Sequence, residues 1–473
     1  MRDTKEAGQP RCNGIGAYIR RTDPTTAART EWARLSSGES DGVRAGQPYG
    51  FASVGAFSET NDFTDGAGDS FVVRSARDGG AGAPYAVVIY PVPRGDDRAL
   101  KDELGTVLRG GFSRSRIGDP YNPAFLADLD ALVDRDVAPR RDDPGLQMWF
   151  CGNEAGVFDV AAHQAGGGVR DFRRWLWSDV PAGSSIDDPR CARHALAAFL
   201  REHYQGSIDA LNAAWQSAYP GFAEIVDVGP LPVPDTHDCN ERCGDDLQRF
   251  VHDRLLRDWV VAVTGRVRAA DPNHLVASPR LAVDRPRNYR FWTGGADHWI
   301  EPPQALIGDD ASPFDVLARD GDTGFDLVAI NAYSGDPRFP EPWFGDGLHK
   351  IQRESGLPVI ISEFGVRARI DGWSNKGGAG SFVASQVERG QRYESQIDQF
   401  VGFRHVVGAI WHAWSDRYMP GDEGLQINMG LVQCDDPDPE RRFKAGRRWQ
   451  DLDRAIAQTN RTIMSRIERK TGF

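Results

Sequence analysis

Two glutamates stand where hydrophobic runs end: Glu154 closes "LQMWFCGNE" (146–154) and Glu363 closes "PVIISE" (358–363). Side chains alternate along a strand, so Met148, Phe150, Gly152 and Glu154 fall on one face, as do Val359, Ile361 and Glu363. A lone acid in such a place is an ordinary loop opener. Two on different strands point to a shared site, because residues at the C-terminal ends of barrel strands converge on the mouth. Converging carboxylates suit cleavage of a glycosidic bond, in which one donates a proton to the leaving oxygen and the other attacks the anomeric carbon or positions water.

The elements that must position these acids read as α/β. Short β-rich runs alternate with amphipathic helical stretches, the order expected of parallel strands joined by crossover helices. The expected strands are "YGFASVGAF" (49–57), "YAVVIYPV" (85–92), "LQMWFCGN" (146–153), "HLVASP" (274–279), "FDLVAINAY" (325–333), "LPVIISEF" (357–364) and "VVGAIWHAW" (406–414). An eighth, "NGIGAYI" at 13–19, would close a (β/α)8 TIM barrel. Helices are expected at 121–134, 246–269, 381–402 and 443–468. The connection after "GNE", from 155 to 245, carries helices of its own ("ARHALAAFLREHY", "SIDALNAAWQSAY") and reads as a large rim insertion after strand 4. The chain divides into an N-terminal segment, 1–45, with the possible first strand, a catalytic barrel over 46–440, and a C-terminal helix within 441–473 packed on the barrel.

A formal charge of −12 over 473 residues argues against nucleic acid, which is bound through clustered Lys and Arg. No apolar run approaches the ~20 residues that span a bilayer, and "MRDTKEAGQPRC" lacks the apolar core of a signal peptide, so no membrane partner and a cytoplasmic location are expected. "HDCNERC" sets Cys239 and Cys243 four apart near His237. That spacing allows a zinc half-site or a local disulfide, but further ligands are missing and incidental thiols fit best. "RDGDTGFD" (319–326) departs from a calcium loop at Gly324, and "NGIG" lacks the third glycine of a dinucleotide fingerprint. No metal and no cofactor are expected.

"GNE" after a fourth strand and "SEFG" after a seventh resemble the clan A glycoside hydrolases, retaining (β/α)8 enzymes whose acid/base is a Glu preceded by Asn and whose nucleophile is a second Glu. Longer stretches are similar to the β-agarases and β-galactosidases of glycoside hydrolase families 50 and 42: "FLREHYQGSIDALNAAW", "AADPNHLVASPRL", "GFDLVAINAYS", "GLPVIISEFG" and "GAIWHAWSDRYMPGDEGLQINMGLV". The resemblance spans about residues 45–440 and implies roles: Glu154 the acid/base, Asn153 the holder of the sugar 2-hydroxyl, Glu363 the nucleophile, Tyr333 a phenol bonded to it, Trp411 the floor of the −1 subsite. Trp414, of opposite strand parity to Trp411, and Asp416, Glu423 and Asn428 in the tail that follows are secondary substrate-binding candidates. A tyrosine donor at Glu363 and an apolar setting for Glu154 would push their pKa values apart. The expected activity is a retaining hydrolase of β-galactosidic, agarase-like bonds in oligosaccharides or polysaccharides. A β-glucan or β-mannan specificity, and a catalytically silent sugar-binding barrel, remain as alternatives. The oligomeric state is not legible.

Overall fold

A computed structural model of the chain describes residues 19–22, 30–33, 55, 85–101, 105–110, 115–143, 145–153, 178–227, 240–285, 290–292, 299–300, 317, 323–333, 342–371, 373, 380–412, 416–419, 425–431 and 449–471. The expected strands at 13–19 and 49–57 lie outside that set, apart from Gly55 and Ile19, and Ile19 opens a short antiparallel pair of Ile19–Thr22 with Thr30–Ala33.

Six strands form a curled parallel half-barrel: β1 (Tyr85–Val88), β2 (Leu146–Phe150), β3 (Leu275–Arg285), β4 (Leu327–Ala332), β5 (Val359–Phe364) and β6 (Val406–Trp411). Each pairs in parallel with the next in sequence. Such an order needs a crossover between neighbours, and both sheet faces are then covered, which is why the strands are rich in Val, Ile and Ala rather than alternating with polar residues. Val328, Ile330, Val359 and Ile361 meet the helices, whereas Val88, Met148, Phe150, Ala329 and Ile360 cluster on the axial side.

The helices start where local chemistry permits. Asn122 accepts the Ala124 N–H at 2.9 Å ahead of Pro123, and α1 (Pro123–Leu132) follows. Ser385 accepts the Glu388 N–H while the Glu388 carboxylate takes the Ala384 N–H, which opens α7 (Gln386–Phe400). Between them lie α2 (Ala192–His203), α3 (Ile208–Trp215), α4 (Glu241–Phe250), α5 (Arg257–Ala270) and α6 (Pro342–Ser355). A π-helical turn, Val251–Leu256, joins α4 to α5, so the helix expected at 246–269 is one longer rod. Tyr204 and Trp215 both donate to the buried Asp246, tying α2 and α3 to α4. Two C-terminal helices, α8 (Gln450–Arg461) and α9 (Ile463–Thr471), stand where one was expected. Gly390 of α7 lets α8 approach, since a Cβ there would lie 2.5 Å from that of Ala455.

Three expectations are corrected by the structure. Cys243 is disulfide-bonded rather than an incidental thiol, while Cys151 and Cys191 are free; Cys12, Cys239 and Cys434 lie outside the described residues. Trp411 is 0% exposed on the helix-covered face, with ring centroids of Phe364 and Tyr393 each 5.4 Å away and the Arg389 guanidinium 5.3 Å from its own. It offers no face to a sugar. Asp416 and Asn428, expected as secondary substrate-binding residues, are also buried. Asp416 accepts from Asn428 Nδ2, the Gly430 N–H and Trp449 Nε1 at 2.8–3.0 Å, and Asn428 Oδ1 accepts from Ala368 N, Gln386 and Arg389. Their polar atoms are spent on clamping the segment after β6 to the exit of β5, to α7 and to the start of α8.

Two predictions follow from that clamp. Trp411→Ala should destabilise the fold by about 3–5 kcal/mol, the range for losing a large buried side chain, measured as a shift in denaturant midpoint; an unchanged midpoint would place the indole outside the core. Burial pushes the Asp416 carboxyl up to about 7, against the opposing pull of Arg389 and the three donors. The folded state therefore holds a proton that the unfolded chain releases near pH 4, and stability falls as pH rises from 4 to 7. Asp416→Asn cannot ionise, so its stability should fall less steeply over that window, by up to about 1.4 kcal/mol per pH unit. Parallel slopes for the two proteins would contradict the assignment.

Candidate functional site

The face on which Glu363 lies is decided by an irregularity. Val359, Ile361 and Phe364 all belong to the helix-facing core, so strict alternation from Val359 would send Glu363 into the helices. It does not go there. Ile361 pairs with Ile330, but Asn331 pairs with Glu363 and not with Ser362; on the other side Ile361 pairs with Ala409 and Phe364 with Trp411. An extra residue is thus accommodated at Ser362–Glu363, a β-bulge that turns both side chains to the axial side. The shared face expected for Val359, Ile361 and Glu363 is corrected accordingly.

There the Glu363 carboxylate, in a residue only 7% exposed, has a donor on each oxygen. Arg280 donates to Oε1 at 2.7 Å and the Tyr333 hydroxyl to Oε2 at 2.7 Å. Arg280 is 1% exposed, donates also to the Ser362 carbonyl at 2.7 Å, and lies 5.5 Å from the Phe150 ring centroid. Two charges withdrawn from water in this way must stay matched, since an uncompensated buried charge costs several kcal/mol. Donors aimed at both oxygens favour the anion, the state in which a carboxylate is a nucleophile.

Asn153 is held by the same group of strands. Gly152 has φ +132°, a conformation that glycine supplies, so alternation from Met148 and Phe150 does not carry past it. Its carbonyl accepts the Arg280 N–H at 3.0 Å, and Asn153 bridges to Arg280 in parallel register. The Asn153 side chain then accepts from Asn331 Nδ2 at 3.2 Å, and Asn331 Oδ1 accepts from Ser362 Oγ at 2.8 Å. One polar chain therefore links the ends of β2, β4 and β5. Glu154, Trp414 and Glu423 lie outside the described residues.

Arg280, Asn331, Ser362 and His412 were not singled out by sequence. Each is a polar residue in or beside an otherwise apolar strand run, and that was the available signal. Arg280 was missed because the strand was expected to stop at Pro279, whereas β3 runs to Arg285. No group of three or more His, Cys, Asp or Glu among the described residues is placed to hold a metal ion.

The pair itself can be tested without a substrate. Arg280→Met takes the guanidinium away from the buried Glu363 carboxylate and should cost about 3–5 kcal/mol of stability. Adding Glu363→Gln should recover much of that loss, a coupling read from a double-mutant cycle. Additive losses would mean that the two groups do not depend on each other.

No protein-family model matches the sequence, and no curated protein does. In fold the chain is similar to solved glycoside hydrolases. An exo-β-agarase superposes with a TM-score of 0.61 at 17% identity, over 90% of this chain and 48% of that one. The agarase AgWH50C gives 0.58 at 20% identity, over 89% and 48%. A β-galactosidase from the psychrophilic Marinomonas ef1 gives 0.52 at 15% identity, over 92% and 58%. The chain spans about half the length of these agarases, and what it shares with them is a fold, a curled and mostly parallel sheet with covering helices.

Proposed function

We propose that the protein is a retaining β-glycosidase that cleaves β-galactosidic, agarase-like bonds by double displacement. The observation that carries the reading is the Glu363 carboxylate, set at the C-terminal end of β5 and held by Arg280 and Tyr333. Glu363 attacks the anomeric carbon, forming the glycosyl–enzyme bond as the leaving oxygen departs. Glu154, one residue beyond Asn153, gives that oxygen its proton and then takes one from the water that releases the sugar. Asn153, fixed through Asn331, meets the sugar 2-hydroxyl. Support for the substrate class comes from the agarase and β-galactosidase neighbours in fold.

With Trp411 in the core, the sugar platform falls to other residues, and Trp414 is the sequence candidate that remains. The described part of the 155–245 insertion, residues 178–227 and 240–245, supplies a wall of the site in this reading. Asp119, just ahead of α1, accepts the Ala192 N–H at the start of α2; a crossover helix begins on the side where its strands end, so this contact supports a rim position.

The roles of the two acids separate in azide rescue. Glu363→Ala should lose turnover on all substrates, and azide should restore it only as a glycosyl azide of inverted configuration. Glu154→Ala should still form the intermediate from an aryl β-galactoside whose leaving group needs no proton, and azide should restore turnover with retained configuration. Products of one configuration from both variants, or a first product of inverted configuration from the wild type, would overturn the assignment.

A further inference from the structure

We propose that His412 is a positioning residue that holds the Tyr333 ring in the orientation from which its hydroxyl reaches Glu363, an inference that rests on the reading of Glu363 as nucleophile. The strand leads the imidazole there. β6 sends Val407 and Ile410 to the axial cluster and Trp411 to the helices, so the next residue returns to the axial side. Its backbone is fixed as well, since the His412 N–H donates to the Phe364 carbonyl at 2.9 Å and extends the β5–β6 ladder by one step. The imidazole, in a residue 6% exposed, stands at 85° to the Tyr333 ring with centroids 6.3 Å apart.

Backbone closes in on the same phenol. A Cβ at Gly380, whose φ is +80°, would lie 2.9 Å from the Gly365 carbonyl oxygen and 3.4 Å from Tyr333 Cδ1; one at Gly365 would lie 2.7 Å from the His412 carbonyl oxygen. Glycines at 365 and 380 thus let two chain segments press toward the ring, and His412 is the aromatic side chain set perpendicular to it. A phenol bonds one carboxylate oxygen from a narrow range of ring orientations, so a ring loosened by loss of its neighbour spends less time bonded. Among the described residues, the charged and titratable groups around this contact are Glu363, Arg280, Tyr333, His412 itself and Arg367, which interacts electrostatically with Tyr333.

The experiment is the pH profile of kcat/KM on an aryl β-galactoside for His412→Ala, His412→Phe, Tyr333→Phe and the double variant His412→Ala/Tyr333→Phe. His412→Ala should lose about tenfold in kcat/KM and move the acidic limb to higher pH, because a carboxylate that loses a donor ionises less readily. His412→Phe keeps an aromatic ring and should recover to within about threefold. Tyr333→Phe should lose at least as much as His412→Ala, and His412→Ala should add nothing on that background. His412→Leu, which fills space without an aromatic ring, carries the same test if the alanine variant is unstable. An unmoved acidic limb in His412→Ala, or losses that multiply in the double variant, would overturn the proposal. A silent Tyr333→Phe would instead overturn the reading of Tyr333 on which it rests.

Discussion

The buried contact between Arg280 and Glu363 is the constraint around which the strand ends are arranged. A guanidinium and a carboxylate removed from water are stable together and costly apart. The backbone pays for their meeting with irregular geometry at three places. β5 bulges at Ser362–Glu363 to bring the acid off the helix-facing side, β3 runs on past Pro279 to carry Arg280 into register, and Gly152 adopts a positive φ where β2 meets Arg280. Tyr333 and the Asn153–Asn331–Ser362 chain are then fixed by neighbours that the ion pair has already placed.

Much of this was legible in residue patterns. Apolar runs located the six strands of the parallel half-barrel because a parallel sheet buried on both faces needs such runs. Glu363 stood out as an acid closing one of them, whereas Tyr333 was pointed to only by the family resemblance. Counting alternate residues failed at Glu363, because it assumes an unbroken pleat and β5 slips register there. Trp411, which the resemblance offered as a sugar platform, is core beneath a helix, and near a strand end the same residue type serves either role. Asp416 and Asn428 were misread differently. Their polar character in the tail after the last strand suggested substrate contacts, but their partners, Arg389, Trp449 and the backbone of 368 and 430, come from parts of the chain that no local pattern connects.

That second polar node is the counterpart of the first. Arg389, fully buried and with its pKa lowered to about 10 by desolvation, donates to the carbonyls of Val366 and Gly430 and lies over Trp411. The strand that carries Glu363 is thereby anchored just beyond the site, so packing under the sheet and geometry above it are coupled. The disulfide at Cys243 adds a covalent tie at α4. No described helix is long and apolar enough to cross a membrane.

The central proposal is that Glu363 is the nucleophile that bonds the anomeric carbon in a retaining mechanism, and trapping tests it most directly. A 2-deoxy-2-fluoro-β-galactoside with a good leaving group slows release of the intermediate more than its formation, so the sugar accumulates on the nucleophile. Peptide mapping of the inactivated protein should find one fluorosugar on the peptide that contains Glu363. A label on any other carboxylate, or wild-type turnover of the parent galactoside with no label formed, would contradict the account.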